Sequence, residues 1–280
     1  MNLCENGLLG NIANIEIYDS HAHLGKWSSI TMREYNEDHI VKYMDYISIK
    51  KTMLSSSLAI GSDYIAGNKQ VADAINKYPD RLLGLVTINP NYKDGTVKEY
   101  QKYEDNKNIL GIKIHPSYNG IPVSAVEYND IFDYVNKKEC MVLVHTFSKN
   151  DVLALGKIAE KYTDANFIFA HSGAETGVEL TAELIKNMNN VYCDIPVSFA
   201  RANTLEYLVE KGSPDKILFG TDSPLFDYRM SYGRVLFANI SDEDKLKIFG
   251  LNFKKLLSKT KSWENIVNNF FTYCQTCNFT

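Results

Sequence analysis

The sequence predicts an α/β fold, a (β/α)8 TIM barrel in a single domain. Short apolar runs recur along the chain, and most are nearly continuous in apolar residues, as is typical of strands covered on both faces in a parallel sheet. Segments of helical character separate these runs at intervals of about 25 to 40 residues. Because the first run begins near residue 15 and the last ends near residue 224, we expect one domain over residues 1–280, with a final helix and a tail.

The eight predicted strands end in polar or small residues. They occupy residues 15–23, 52–60, 81–90, 109–116, 140–147, 166–173, 191–198 and 217–224. Several of the helical segments between them stop at Pro or Gly, as helices do, and the segment DEDKLKIFGLNFKKLLS supplies the last helix. A doubly wound open sheet is the alternative architecture, but it usually has a Gly-rich phosphate loop after its first strand, and this sequence has none.

Composition and charge favour small, soluble partners. The net charge is -4, and the Lys and Arg residues are scattered, so nothing indicates binding to nucleic acid or to an anionic membrane. The segment MNLCENGLLGN lacks the features of a signal peptide, and no segment approaches the roughly 18 apolar residues of a transmembrane helix. We expect a cytoplasmic protein that acts on a small molecule, and whether it forms a homo-oligomer stays open.

The five cysteines do not indicate a disulfide framework. Cys140 and Cys193 lie within or beside apolar runs, where we expect small buried thiols. Cys274 and Cys277 form a single C-x-x-C on a polar tail. Without a second pair this is a weak signal for zinc binding or redox chemistry, and the role of these two residues stays open.

Five of the six histidines lie at the C-terminal ends of predicted strands. They are His21 and His23 on strand 1, His115 on strand 4, His145 on strand 5 and His171 on strand 6. In a parallel barrel these ends meet, together with Asp222 of strand 8, at the face where active sites are built. Imidazoles and a carboxylate without a thiolate match Zn²⁺ or another first-row divalent cation. The sixth histidine, His39, lies in a charged helical segment, where we expect it to be solvated.

The sequence resembles the amidohydrolase superfamily, specifically the amidohydrolase-related (amidohydrolase 2 type) branch of hydrolases, lactonases and decarboxylases. The resemblance extends over nearly the whole chain. Its most specific parts are the H-x-H of DSHAH on strand 1 and the late G-T-D of ILFGTDSP on strand 8. The supporting segments are YPDRLLGLVTINP, GIKIHP, VLVHT, FAHSG and KIFGLNFKKLL.

The resemblance implies one set of metal ligands: His21, His23, His145 and Asp222. Zinc is the first expectation for the metal, and manganese is the alternative. Asp222 would also act as general base, and His171 would bind a second metal, hold the attacking water or transfer protons. Asp19 lies deeper on the same strand face, where it would fix the tautomer or orientation of a ligating histidine.

Strand 4 leaves the number of metals open. Binuclear relatives use a carboxylated lysine or a glutamate there, and this chain has Lys113 and His115 on one strand face. Lys113 could be carboxylated, could bind a substrate carboxylate as a cation, or could extend its charged end to solvent. We favour one metal, with both residues contacting the substrate or supporting the ligands.

The predicted activity is metal-dependent hydrolysis of a small amide, lactone or other ester, with Asp222 as base. The enzymatic alternative is non-oxidative decarboxylation of a small carboxylic acid, for example an aromatic one, which needs a cation that holds the carboxylate. The candidate cations in the loops after strands 1, 7 and 8 are Lys26, Arg201, Arg229 and Arg234. A third alternative is a barrel that binds a metal or ligand without turnover.

Overall fold

A computed structural model describes residues 3–8, 15–33, 35–196 and 201–260. Within these residues, eight parallel strands form one sheet in the order in which they occur along the chain. The strands are β1 (Ile17–Leu24), β2 (Ile49–Ser56), β3 (Leu82–Thr87), β4 (Ile109–Ile114), β5 (Met141–His145), β6 (Asn166–Ala170), β7 (Val191–Asp194) and β8 (Ile217–Leu218). The predicted single-domain (β/α)8 TIM barrel is therefore confirmed.

Helices connect the strands and cover the outside of the barrel. They are α1 (Leu3–Leu8), α2 (Glu37–Tyr46), α3 (Ser57–Gly61), α4 (Tyr64–Lys77), α5 (Val97–Gln101), α6 (Pro116–Asn119), α7 (Asn129–Lys137), α8 (Lys149–Lys161), α9 (Ala174–Asn187), α10 (Thr204–Lys211), α11 (Tyr228–Leu236), α12 (Asp242–Leu246) and α13 (Asn252–Lys259). A π-helical turn, Lys247–Leu251, joins α12 to α13. None of the helices in the described residues combines the length and the apolar character that crossing a membrane requires.

Backbone hydrogen bonds close the barrel between β1 and the segment that follows β8. The N–H of Ser20 donates to the carbonyl of Phe219 (2.9 Å), and the N–H of His23 donates to the carbonyl of Ser223 (2.7 Å). In the other direction, the N–H groups of Thr221 and Asp222 both donate to the carbonyl of His21 (3.1 and 2.8 Å). This closure holds Asp222 beside the histidines of β1.

The predicted second strand, residues 52–60, is wrong at both ends. β2 begins at Ile49, and the chain turns into α3 at Ser57. The turn occurs there because Ser56 is the N-cap of α3, and its Oγ accepts a hydrogen bond from the N–H of Ala59 (3.2 Å). A run of apolar residues alone does not show where a strand gives way to a helix.

The barrel interior has an apolar lower part and a polar upper part. Side chains such as Met53, Leu85 and Leu143 pack inside the strands, and Phe253 and Leu256 of α13 join this cluster from the N-terminal end. Side chains alternate between the two faces of a strand, so every second residue points into the barrel. At the C-terminal strand ends, beyond this cluster, the inward residues are polar. We call this C-terminal end of the barrel the mouth.

Glycine is required where β4 approaches β5. Gly111 has φ +156°, and a Cβ built there would lie 1.8 Å from the carbonyl oxygen of Met141. With glycine at this position, the two strands pair regularly, and Lys113 lies opposite Leu143 on β5 and Thr87 on β3. The glycine therefore helps to set the register that directs Lys113 into the mouth.

Cys140 and Cys193 are buried free thiols, as predicted. Burial raises the pKa of Cys140 to about 11 and that of Cys193 to about 12. Neither thiol is therefore ionised at neutral pH, and both act as small packing groups. Cys274 and Cys277 lie outside the described residues.

Candidate metal centre and active site

Three potential metal ligands converge at the mouth. His21, His23 and Asp222 each offer one atom, and the three atoms lie within 4.8 Å of one another. Oδ1 of Asp222 is 2.9 Å from Nε2 of His23 and 3.7 Å from Nε2 of His21. Each of the three residues is at most 3% exposed, so the cluster is shielded from solvent.

The other ring nitrogen of each histidine has its own partner. Nδ1 of His21 lies 2.9 Å from Oδ2 of Asp194, and Nδ1 of His23 lies 3.2 Å from Oγ of Ser55. An ionised carboxylate only accepts hydrogen bonds, so Nδ1 of His21 carries the proton and Nε2 keeps a lone pair. Histidine ligands of metals are held in this way, with one nitrogen hydrogen-bonded and the other directed at the metal.

The spacing of the three donors fits a metal ion. With bonds of about 2.0–2.1 Å, the ligand atoms of a tetrahedral zinc site lie about 3.3–3.4 Å apart. Two of the three separations, 2.9 and 3.7 Å, lie on either side of this value, and the third is at most 4.8 Å. Two imidazoles and one carboxylate are also the donor types that zinc and manganese accept. The residues present therefore fit a divalent metal.

The Asp222 carboxyl group is held in its ionised form. Burial alone would raise its pKa, but the hydrogen bond with His23 and the imidazoles of His21 and His171 outweigh burial and hold the pKa well below its usual range. A buried carboxylate that stays ionised at neutral pH can bind a cation and can accept a proton.

Lys113 extends into the same cluster. It is fully buried, and its Nζ lies 3.2 Å from Nε2 of His21. Burial lowers the pKa of Lys113 to about 8, although the nearby Asp222 and Asp194 oppose this shift. Because the Lys113 ammonium group contacts the nitrogen that would bind a metal, the two cations compete for His21.

His145, the predicted fourth ligand, lies beside the group of three within a stack of rings. Its ring is 3.9 Å from that of His115 at an interplanar angle of 16°, and 4.5 Å from that of Phe147 at 19°. Two rings at such distances cannot share one face of an imidazole, so they lie on opposite faces of His145. The ring of His171 contacts its edge at 4.8 Å. The role of His145 as a ligand stays a prediction.

His171 lies at the start of a turn with unusual backbone angles. His171, Ser172, Gly173 and Ala174 all have positive φ values, between 49° and 77°. The N–H of His171 donates to Oδ1 of Asp194 (2.7 Å), and its ring lies 5.1 Å from that of His21. Within the described residues, Nδ1 of His171 is buried and has no hydrogen-bond partner, so it is available to a ligand.

Two aspartates support the histidines in different ways. Asp19, which we expected to orient an imidazole, instead accepts hydrogen bonds from the backbone N–H groups of His21 and Thr221 (both 3.1 Å) and from the Thr221 hydroxyl (2.6 Å). The contact with an imidazole belongs to Asp194, which sequence reasoning did not select. Asp194 is the last residue of β7 but lies inside the predicted run 191–198, so the end of that run did not select it. A charged residue within an otherwise apolar run is the signal that could have identified it.

Aromatic residues that sequence reasoning also missed cover the mouth. The ring of Trp27 lies 5.5 Å from that of His23, and its Nε1–H donates to the hydroxyl of Tyr118 (2.8 Å). Tyr118 in turn contacts the ring of His115 at 4.8 Å. These residues lie in connections after β1 and β4, where apolar periodicity gives no signal.

The candidate loop arginines contact other parts of the chain. Arg229 pairs with Asp227, and Arg234 donates to the carbonyls of Ile195 (2.9 Å) and Pro196 (3.2 Å). Arg201 is exposed at the beginning of the segment that leads to α10. In the part of the chain that the structure describes, no contact joins Arg201 to the metal-ligand cluster. Its role in holding a substrate stays a prediction.

A family model described as Amidohydrolase, of the amidohydrolase 2 type, matches residues 59–258. This chain belongs to that amidohydrolase family. The match includes the segments that contain Lys113, His145, His171 and Asp222, and it begins after the two histidines of β1. No curated protein matches the chain.

Solved structures of similar fold include enzymes of two reaction classes. The 2,6-dihydroxybenzoate decarboxylase from Rhizobium has a TM-score of 0.71 and 16% identity, over 87% of this chain and 99% of that one. A dihydroxybenzoic acid decarboxylase from Polaromonas, with bound manganese and 2-nitroresorcinol, has a TM-score of 0.69 and 16% identity, over 87% and 97%. A probable 2-pyrone-4,6-dicarboxylic acid hydrolase from Acinetobacter baumannii, with citric acid bound, has a TM-score of 0.68 and 16% identity, over 87% and 100%. At these identities the similarity shows the shared fold.

Proposed function

We propose that this chain is a metal-dependent hydrolase that cleaves a small ester, lactone or amide. The supporting observation is that the Nδ1 atoms of His21 and His23 are occupied while their Nε2 atoms face the ionised carboxylate of Asp222. These three residues, with His145 as a fourth ligand, would hold one divalent ion, with zinc as the first expectation and manganese as the alternative. A divalent ion at such a site polarises a carbonyl and lowers the pKa of water toward about 7.

Asp222 and His171 are assigned the proton transfers of the reaction. Asp222 is ionised, so it can accept a proton from the attacking water. Burial lowers the pKa of His171 to about 3, so its imidazole is neutral, and its unpartnered Nδ1 can position the water. After the attack, the proton passes to the oxygen or nitrogen that leaves the acyl carbon. Both residues start in the accepting state that the first step of hydrolysis requires.

Decarboxylation is the second candidate, and Lys113 is the observation that favours it. A buried ammonium group at the mouth could hold a substrate carboxylate, and the rings of Trp27 and Phe147 could pack against a planar acid. In this reaction the bond to the carboxylate carbon breaks, CO2 leaves, and a proton is added to the remaining carbon. We rank it second because it needs a proton donor for the remaining carbon: neither Asp222 nor His171 holds a proton at neutral pH, and the proton-bearing Lys113 is engaged with the carboxylate.

The test begins with a measurement of metal content. A substrate screen then distinguishes hydrolysis from decarboxylation by whether protons are released or taken up. Cleavage of an ester or lactone to an acid releases a proton at pH 7, whereas decarboxylation of a carboxylate consumes one and yields CO2. Esters, lactones, amides and aromatic acids are therefore offered to the metal-loaded protein in weak buffer with a pH indicator and a CO2 sensor. We expect proton release without CO2 from an ester or lactone, or release of an amine without CO2 from an amide, whose hydrolysis at pH 7 leaves the proton on the amine. Proton uptake with CO2 would establish the second candidate instead.

Variants at the assigned residues decide whether turnover belongs to this site. Asp222→Asn and His171→Asn are each expected to lower the rate by about 100-fold or more while the fold is kept. His39→Asn is the control, because this half-buried histidine lies on α2, outside the cluster. Near wild-type activity in either active-site variant would remove its proposed role. Tight metal binding without turnover on any substrate would leave the barrel as a binding protein.

A further inference from the structure

Several buried polar atoms without partners belong to residues at the C-terminal strand ends. Folded proteins pair nearly all buried polar groups, and an exception indicates a bound water, an ion or a ligand. Within the described residues, nine buried side-chain atoms lack a hydrogen-bond partner. Four of the nine belong to residues at the C-terminal ends of strands: Ser57, Thr87, His115 and His171. Thr87 has no role in the mechanism above. Its position is fixed by pairing with Lys113 in the sheet and by hydrogen bonds between its backbone and Asn68.

The Thr87 hydroxyl lies on the inner face of the barrel, next to Lys113. Leu83 and Leu85, which precede Thr87 at intervals of two residues, belong to the interior apolar cluster. In the sheet, Thr87 pairs with Lys113, whose side chain reaches His21 inside the mouth. Neighbours paired in a parallel sheet direct their side chains to the same face, so the hydroxyl and the lysine line one wall.

The backbone of Thr87 is held in place independently of its hydroxyl. Oδ1 of Asn68 accepts from the N–H of Thr87 (2.8 Å), and Nδ2 of Asn68 donates to its carbonyl (3.0 Å). The same Nδ2 also donates to the buried carboxylate of Glu99 (3.1 Å). Thr87 is only 1% exposed, and its hydroxyl bonds no group in the described part of the chain. A fixed donor without a partner is what a preorganised binding site provides.

We infer that Thr87 and Lys113 form a binding subsite for a carboxylate group of the substrate. A lysine ammonium group only donates hydrogen bonds, and a threonine hydroxyl can donate one, so a ligand that contacts both must offer acceptor oxygens. A carboxylate offers two such oxygens, and its hydrogen bonds to the ammonium group would be charge-assisted. The inference rests on the proposed function and narrows its substrate to a molecule that has a carboxylate besides the bond that is cleaved.

The test compares two threonine variants that differ only in position. Thr87→Val removes the hydroxyl at nearly unchanged shape, and Thr52→Val removes another buried, unpartnered hydroxyl in the lower half of β2, away from the mouth. Thr87→Ser keeps the donor. Binding of benzoate, with benzyl alcohol as its neutral counterpart, is measured by calorimetry on metal-loaded and on metal-free protein.

We expect Thr87→Val to weaken benzoate binding about 10-fold or more, since a hydrogen bond to a charged group is lost. Thr52→Val and Thr87→Ser should bind benzoate about as the wild type does, and the two valine variants should not melt below the wild type, because each removes an unpaired buried hydroxyl. Equal benzoate binding by Thr87→Val and the wild type would overturn the inference, as would wild-type protein that binds benzoate no better than benzyl alcohol. Failure of the proposed function would show separately, as absent metal or absent turnover with benzoate binding intact.

Discussion

Replacing Asp194 with asparagine tests whether the hydrogen bonding behind His21 controls metal binding. The two carboxylate oxygens of Asp194 accept from two donors, Nδ1 of His21 (2.9 Å) and the backbone N–H of His171 (2.7 Å). An asparagine of the same shape has one acceptor and one donor. The backbone N–H of His171 can only donate, so the amide oxygen turns toward it and the amide NH2 faces His21.

The consequence for His21 follows from its tautomers. Facing an NH2 group, Nδ1 of His21 must accept, and the proton moves to Nε2, the nitrogen directed at Asp222. A metal must then displace this proton or force the amide to turn against His171. Substitutions behind metal-binding histidines cost about 10- to 100-fold in affinity, equivalent to about 1.4–2.7 kcal/mol, and we expect a loss in this range for Asp194→Asn.

The assay is a competition titration of metal-free protein with Zn²⁺ or Mn²⁺ against a coloured chelator, and nitrogen NMR of the histidine rings reports the tautomer. Asp19→Asn is the matched control, because Asp19 is equally buried and hydrogen-bonds backbone N–H groups and Thr221. This control is expected to lower thermal stability and to leave the tautomer of His21 unchanged. If Asp194→Asn binds metal as tightly as the wild type and keeps the proton on Nδ1, the reasoning is refuted.

Two further predictions concern the stability of the fold. Ala174 has φ 49° and ψ -128°, a backbone conformation that glycine tolerates and alanine does not. Ala174→Gly should therefore raise the free energy of unfolding, measured with denaturant, by about 1 kcal/mol. The control, Ala154→Gly within α8, should lower it by a similar amount. Burial and the nearby Lys259 and Lys255 lower the pKa of half-buried Lys216 to about 8. The folded state therefore binds fewer protons than the unfolded state between about pH 8 and pH 10.5, and stability rises with pH across this window. Relative to Lys216→Met, the wild type should gain about 1 kcal/mol from pH 7 to pH 10, a value reduced for solvent screening, and a pH-independent difference would contradict the prediction.

The sequence predicted the strands well because a parallel barrel buries both faces of each strand. Such burial requires nearly continuous apolar runs, and these runs are visible without any knowledge of tertiary contacts. The polar residues that end the runs must then meet at one mouth, so the convergence of His21, His23 and Asp222 could be expected from the order of residues along the chain. Boundaries were less predictable, because the end of β2 depends on the cap at Ser56.

The contacts between side chains could not be predicted in the same way. Which carboxylate holds His21 depends on the register between β1 and strands that are distant in sequence, and the structure selects Asp194 over Asp19. The cover of Trp27 and Tyr118 depends on how two connecting segments meet above the strands. The Thr87 hydroxyl has no hydrogen-bond partner in the described residues, and a sequence pattern cannot show which contacts a side chain lacks.

Lys113 connects the question of metal number to the geometry of the site. Its Nζ contacts the same nitrogen of His21 that would bind the metal, so a free ammonium group opposes metal binding through both its charge and its hydrogen bond. Lys113→Met should therefore leave the stoichiometry near one metal per chain, increase the affinity for the metal, and weaken benzoate binding at the subsite beside Thr87. Equilibrium dialysis with elemental analysis measures the first two quantities. The opposite outcome is a wild-type stoichiometry near two metals per chain that Lys113→Met halves. If bicarbonate or a short carboxylic acid then restores the second metal in the Lys113→Ala variant, Lys113 is a carboxylated lysine between two metals.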